Sequence, residues 1–143
     1  VTAAPYLRPI LLVEDNPMDI DLTMRAFKKC QMTHPTIVLR DGEEAMQHID
    51  GWDNPETRPI VVLLDLKLPR IDGLDVLARI KGNPDTQSVP VVVLSSSRDD
   101  GDVRTAYLRG ANSYIVKPVD FDRFLEVATQ IQSYWCAVNE LVC

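Results

Sequence analysis

The sequence predicts an α/β fold, a doubly wound five-stranded parallel sheet of order 2-1-3-4-5 with helices on both faces. Three observations lead there. Short apolar runs alternate strictly with segments of helical period, and the runs begin about every 22 to 31 residues, room enough for a crossover helix between parallel strands. Three of the runs, Ile10 to Val13, Ile60 to Leu64 and Val91 to Leu94, are apolar at every position, as strands covered on both faces must be. The other two, Thr36 to Leu39 and Ser113 to Val116, are more mixed and suit the edges of the sheet.

Each connecting segment carries its own boundary chemistry. After the first strand, Asn16-Pro17 supplies an N-cap and a proline at the first helical position, leading a helix through Leu22, Met24 and Phe27 to about Cys30. Asp41-Gly42 opens a second helix with Ala45, Met46 and Ile49 on one face. A third runs from Gly73 to Ile80 with Val76, Leu77 and Ile80 on one face, and Asn83-Pro84 lies in the loop beyond. A fourth, Arg104 to Arg109, ends at Gly110, placed as a left-handed cap. The last helix begins near Asp120, and its Phe121, Phe124, Leu125, Ala128, Ile131 and Trp135 form a core-facing stripe.

The chain has 143 residues, 45% apolar and 25% charged, which suits one domain with a substantial core. A formal charge of -6 argues against a nucleic-acid surface, because phosphate backbones are bound mainly by clustered Lys and Arg. No apolar run approaches membrane-spanning length, and VTAAPYLRP lacks the layout of a secretory signal, so a soluble, cytoplasmic protein is expected. Cys30, Cys136 and Cys143 have no metal-ligand spacing and read as thiols, Cys143 exposed at the terminus.

In such a sheet the ligand sits at the carboxyl ends of the strands. Glu14 and Asp15 follow the first strand and Asp65 the third, so three carboxylates converge on one rim. Two such charges about 4 Å apart repel by about 4 kcal/mol at an effective dielectric near 20, so something positive must offset them. A hard divalent cation, Mg2+, suits oxygen ligands of this kind, and Lys117 after the fifth strand offers a second positive charge. Ser95 adds a hydroxyl at the end of the fourth strand. A nucleophilic carboxylate, a metal, a hydroxyl and an ammonium suit phosphoryl transfer, with Asp65 as acceptor. Lys117-Pro118 is a candidate for a cis bond that aims the lysine inward.

From about Arg8 to the final helix the chain resembles the receiver domain of two-component response regulators. The resemblance rests on Glu14-Asp15, on Asp65 in LLDLKLPRIDG, on Ser95 in VLSSS, and on Tyr114 and Lys117-Pro118 in SYIVKP, with successive separations of 50, 30 and 22 residues between Asp15, Asp65, Ser95 and Lys117. It implies a CheY-like, flavodoxin-like fold and a single receiver domain over residues 8–143 after an extension of residues 1–7. It also implies that Asp65 accepts phosphate from a sensor histidine kinase. Mg2+ would be bound by Asp15, Asp65 and the backbone carbonyl of Lys67, with Glu14 holding a metal-bound water. Ser95 and Lys117 would contact the phosphoryl group, Tyr114 would change rotamer with Ser95, and Lys117-Pro118 is expected to be cis. Such a protein is a phosphoacceptor that promotes its own Mg-dependent transfer and dephosphorylation rather than an enzyme acting on a separate substrate.

ILLVEDNPMDIDLTMRAF, VPVVVLSSSRDDGDV and RGANSYIVKPVDFDRFLEV further resemble the small single-domain regulators of cyanobacterial phytochromes, which implies a light-regulated kinase as phosphodonor. No output domain follows the pattern, so a stand-alone regulator signalling through its surfaces is expected. Val127, Ile131, Tyr134, Val138 and Leu141 recur at steps of four, three, four and three and suggest a homodimer through the final helix and the neighbouring fourth helix and fifth strand. The rival folds fit less well. A haloacid-dehalogenase-type phosphatase needs an aspartate where Lys67 stands, EDNPMD is too acidic for a flavin phosphate loop, and no G-x-G-x-x-G is present. The remaining alternative is a receiver-fold binding module that works without phosphorylation.

Overall fold

The computed structural model describes residues 7–141. Most of the expected N-terminal extension, and Cys143, lie outside the described residues. Five strands, β1 (Ile10–Val13), β2 (Thr36–Leu39), β3 (Val61–Leu64), β4 (Val91–Ser95) and β5 (Ser113–Val116), form one sheet in the order 2-1-3-4-5. Every pairing is parallel, with Val13 beside both Leu39 and Leu64, and Ser95 beside Val116. The helices are α1 (Pro17–Lys29), α2 (Gly42–Asp50), α3 (Gly73–Lys81), α4 (Asp100–Leu108) and α5 (Phe121–Ser133).

Successive strand residues point to opposite faces, so each central strand feeds two cores. Leu11, Val13, Val62, Leu64, Val91 and Val93 pack against Ala45 and Ile49 of α2, Val76, Leu77 and Ile80 of α3, and Ala106 of α4. Ile10, Leu12, Val61, Leu63, Val92 and Leu94 pack against Ala26 and Phe27 of α1 and Phe124, Ala128 and Ile131 of α5. Burying each such side chain is worth about 1.5 to 3 kcal/mol, and this two-sided demand is why β1, β3 and β4 are apolar throughout.

The caps act as the sequence suggests. The Asn16 side chain accepts from the amides of Met18 and Asp19, and Asp41 and Asp120 cap α2 and α5, while Asp72 adds an unforeseen cap to α3. Gly110 takes the left-handed conformation at φ 100. Several boundaries differ from expectation. Strand β3 starts at Val61, although Ile60 is buried and donates to the Pro9 carbonyl. Strand β4 runs on to Ser95, and α3 one residue further, to Lys81. Helix α4 starts at Asp100 rather than Arg104, because the Asp99 side chain accepts from the Gly101 amide and caps it earlier.

Two further expectations are corrected. No cis peptide bond occurs among the described residues, so Lys117-Pro118 is trans, the form an X-Pro bond prefers by about 0.5–1 kcal/mol. The last helix ends at Ser133, and Tyr134–Val138 continue as a π turn before Asn139 turns extended. Wider i to i+5 spacing breaks the four-three rhythm on which the expected dimer stripe depended. Ile131 lies in the protein's own core, and Val127 and Leu141 pack against it, which leaves only Tyr134 and Val138 of the five well exposed, at 50% and 66%. Phe121 and Trp135 cover the same core from its edge.

Candidate functional site

At the carboxyl rim of the sheet, the ladder runs one residue past three strands and so aims three side chains. The Glu14 amide donates to Leu39 O, the Asp65 amide to Val13 O and the Lys117 amide to Ser95 O, at 2.9, 3.0 and 2.8 Å. Glu14, Asp65 and Ser95 are buried polar residues, while Asp15 is exposed. The loop after Asp65 folds tightly back on it. Gly73 donates to Leu66 O at 2.8 Å, and a Cβ at position 73 would stand 2.2 Å from Asp65 O, so only glycine fits. Pro69 and Asp72-Gly73 serve this turn, Asp72 capping α3 through the Leu74 amide.

The Lys117 ammonium is the hub. Its Nζ lies 2.5 Å from Glu14 Oε1, 2.8 Å from Asp19 Oδ2 and 3.0 Å from Asp65 Oδ2. Burial alone would pull its pKa down, but the bonds to Asp19 and Glu14 and the charge on Asp65 raise it above the usual lysine value. Burial, together with a hydrogen-bond contact to the Asp65 carboxyl, pushes Glu14 up to about 7 against the opposing pull of Lys117. Carboxylate oxygens of Glu14, Asp15 and Asp65 all lie within 4.8 Å of one another. Lys67 is exposed, and its amide donates to Asp65 Oδ1 at 3.2 Å.

On the β4–α4 side, Ser95 is buried, Ser96 exposed and Ser97 half-buried, so Ser95 holds the strand-end position. Its Oγ accepts from the Ser97 amide at 3.2 Å, and the Ser97 hydroxyl donates to Asp102 Oδ2 at 2.5 Å. Tyr114 is half-buried and its hydroxyl donates to the Ser97 carbonyl at 3.0 Å. The expected switch residue is thus tied to the loop two residues beyond Ser95.

Residues 10–129 match the family model described as the response regulator receiver domain. The chain belongs to this receiver family. It is 40% identical over 128 residues to the response regulator Rcp1 of Synechocystis, covering 88% of this chain and 87% of Rcp1. The Mn(2+)-bound crystal structure of Rcp1 superposes with a TM-score of 0.84, over 95% of this chain and 99% of that one. The phosphorylated cyanobacterial phytochrome response regulator RcpA gives a TM-score of 0.86 at 36% identity, over 96% and 100% of the two chains. The probable methanogenesis regulatory protein FilR2 of Methanothrix harundinacea is also 40% identical, over 131 residues, covering 91% of this chain and 84% of FilR2.

In this receiver the acidic triplet fits a hard divalent cation by its donor chemistry, since every side-chain ligand offered is an oxygen and one carboxylate opens to solvent. Sequence reasoning located Glu14, Asp15, Asp65, Ser95 and Lys117 on one rim and missed Asp19. No spacing in the sequence points to it, because Asp15 lies before the Asn16 cap and outside the helix, and Asp19 stands as an acid in the first turn of α1. The tail residues Val127, Ile131, Tyr134, Val138 and Leu141 belong to α5 and the segment after it, apart from this constellation. Among the described residues, no helix is long and apolar enough to cross a membrane.

Proposed function

We propose that Asp65 accepts a phosphoryl group from a phosphohistidine on a sensor histidine kinase, and that the kinase is of the light-sensing phytochrome type. The observation that carries the reading is the convergence of Lys117 Nζ, 3.0 Å from Asp65 Oδ2, on the same rim as the acidic triplet. An Asp65 oxygen forms the new P–O bond as the P–N bond of the donor breaks, and the electron pair leaves on the imidazole. Lys117 offers positive charge to the phosphoryl oxygens and Ser95 a hydroxyl, stabilisation by positioned charge rather than covalent chemistry. Asp15, Asp65 and the Lys67 backbone carbonyl would hold Mg2+, with Glu14 orienting a water on it. When bound, the cation neutralises carboxylate charge and polarises the phosphoryl group.

The phytochrome pairing is supported by the similarity to Rcp1 and RcpA, the latter described as a phytochrome response regulator. The output follows from the same contacts: charge added at Asp65 draws on Ser95 and shifts the loop that Tyr114 holds through Ser97. Residues 8–143 act in this reading as one cytoplasmic receiver unit, and a homodimer contact falls to Tyr134 and Val138, the two exposed residues of the expected stripe. Phos-tag electrophoresis after incubation with acetyl phosphate and Mg2+ tests the central claim. A shifted band is expected for wild type alone, absent in Asp65→Asn and without metal. No shift, with acetyl phosphate or with a kinase donor, would instead indicate a binding module that works without phosphorylation.

A further inference from the structure

We propose that Asp19 is a positioning residue that competes with the phosphoryl group for Lys117, and so sets how strongly the site favours its phosphorylated state. The proposal rests on the reading of Asp65 as phosphoacceptor and adds an element that reading does not contain. A lysine ammonium has three N–H donors, and here three carboxylates, Glu14, Asp19 and Asp65, stand against it. The Lys117 side chain is only 10% exposed, which leaves little room for water to share in the arrangement. A phosphoryl group on Asp65 brings close to two negative charges and needs one of those donors.

The three partners are not equivalent. Glu14 and Asp65 belong to the acidic triplet whose charge a cation would offset, whereas Asp19 lies outside it, on α1. The Asp19 backbone is also anchored in its own helix. Its amide donates to Asn16 Oδ1 at 3.3 Å, and its carbonyl accepts from the hydroxyl of buried Thr23 at 2.7 Å. Asp19 therefore keeps its claim on Lys117 after the triplet is neutralised, and its negative charge also opposes an anion arriving beside that lysine. Removing the charge acts in one direction through both effects, towards tighter binding of the anion.

Isothermal titration of beryllofluoride in excess Mg2+ tests this. Asp19→Asn, nearly the same shape without the charge, is expected to bind about threefold to tenfold tighter than wild type. Asp19→Glu restores the charge and is expected to fall within about twofold of wild type. Asp21→Asn removes an equal charge from the same helix, where Asp21 pairs with Arg25 at the surface, and is expected to change nothing. Damage to folding would weaken binding, so a gain separates the positioning role from a structural one. Unchanged or weaker binding by Asp19→Asn, or an equal gain from Asp19→Glu or Asp21→Asn, would overturn the proposal while leaving Asp65 as acceptor. No binding by wild type would overturn the phosphoacceptor reading and this proposal with it.

Discussion

Lys117 and Glu14 form a buried ion pair, 2.5 Å from Nζ to Oε1, with side-chain exposures of 10% and 4%. Removing one partner of such a pair leaves the other's charge uncompensated, at a cost of about 3–5 kcal/mol. Lys117→Met is expected to lose about 3 kcal/mol of stability in EDTA, and added Mg2+ to recover a large part by replacing the missing positive charge. Urea denaturation with and without the cation measures both. Equal stabilisation of wild type and variant by Mg2+ would count against the shared site.

Gly73 links the turn to the acceptor. Because a Cβ there would meet Asp65 O at 2.2 Å and Leu66 Cα at 2.6 Å, both backbone atoms, the loop must shift to admit one. Gly73→Ala is expected to cost about 2 kcal/mol or more and to slow phosphorylation at Asp65 even where the protein remains folded. The same phosphorylation assay, run on protein shown to be folded by circular dichroism, separates the two effects. A wild-type rate and stability would refute the coupling.

Tyr114 secures the β4–α4 loop through the Ser97 carbonyl. Tyr114→Phe keeps the ring and deletes the bond, with an expected loss of about 1 kcal/mol. Faster amide exchange is expected at Ser97 and in the first turn of α4, whose entry depends on the Ser97 hydroxyl contacts with Asp102 and the Asp99 amide. Exchange confined to the β5 edge would mean that Tyr114 acts only through packing.

Lys81 supplies a pH dependence away from the site. Its Nζ donates to Gln87 O and Val89 O, and burial pulls its pKa down from 10.5 to about 8. Between those values the unfolded chain binds more protons than the folded one, so this group's contribution to stability rises from pH 8 to 10.5 and is lost as pH falls through 8. Allowing for solvent screening, the rise is about 2 kcal/mol at most. The difference in unfolding free energy between wild type and Lys81→Met should show this slope, and a flat difference would exclude it.

The tail prediction concerns association. Tyr134 and Val138 present the outward apolar surface after α5, so a homodimer through this region should weaken when both become serine. Light scattering coupled to size exclusion should show a dimer at roughly tens of micromolar for wild type and a shift towards monomer for the double variant. A wild-type monomer would remove the dimer from the reading.

The alternation of strands and helices, and the strand ends at which Glu14, Asp15, Asp65, Ser95 and Lys117 stand, can be read from the residues alone. These were legible because period, cap and strand end are local properties: a run such as Val61 to Leu64 declares two-sided burial by its composition alone. Tertiary structure decided what depends on distance. The bond from Lys117 to Asp19 joins residues 98 apart in the chain, and a first-turn acid such as Asp19 carries no local mark of a partner that stands just beyond β5. The tail followed the same rule. Its apolar rhythm suited both a partner-facing stripe and a return to the core, and only packing drew Val127, Ile131 and Leu141 onto the domain itself. Hydrophobic spacing specifies that a face must be covered, and the three-dimensional arrangement specifies by what.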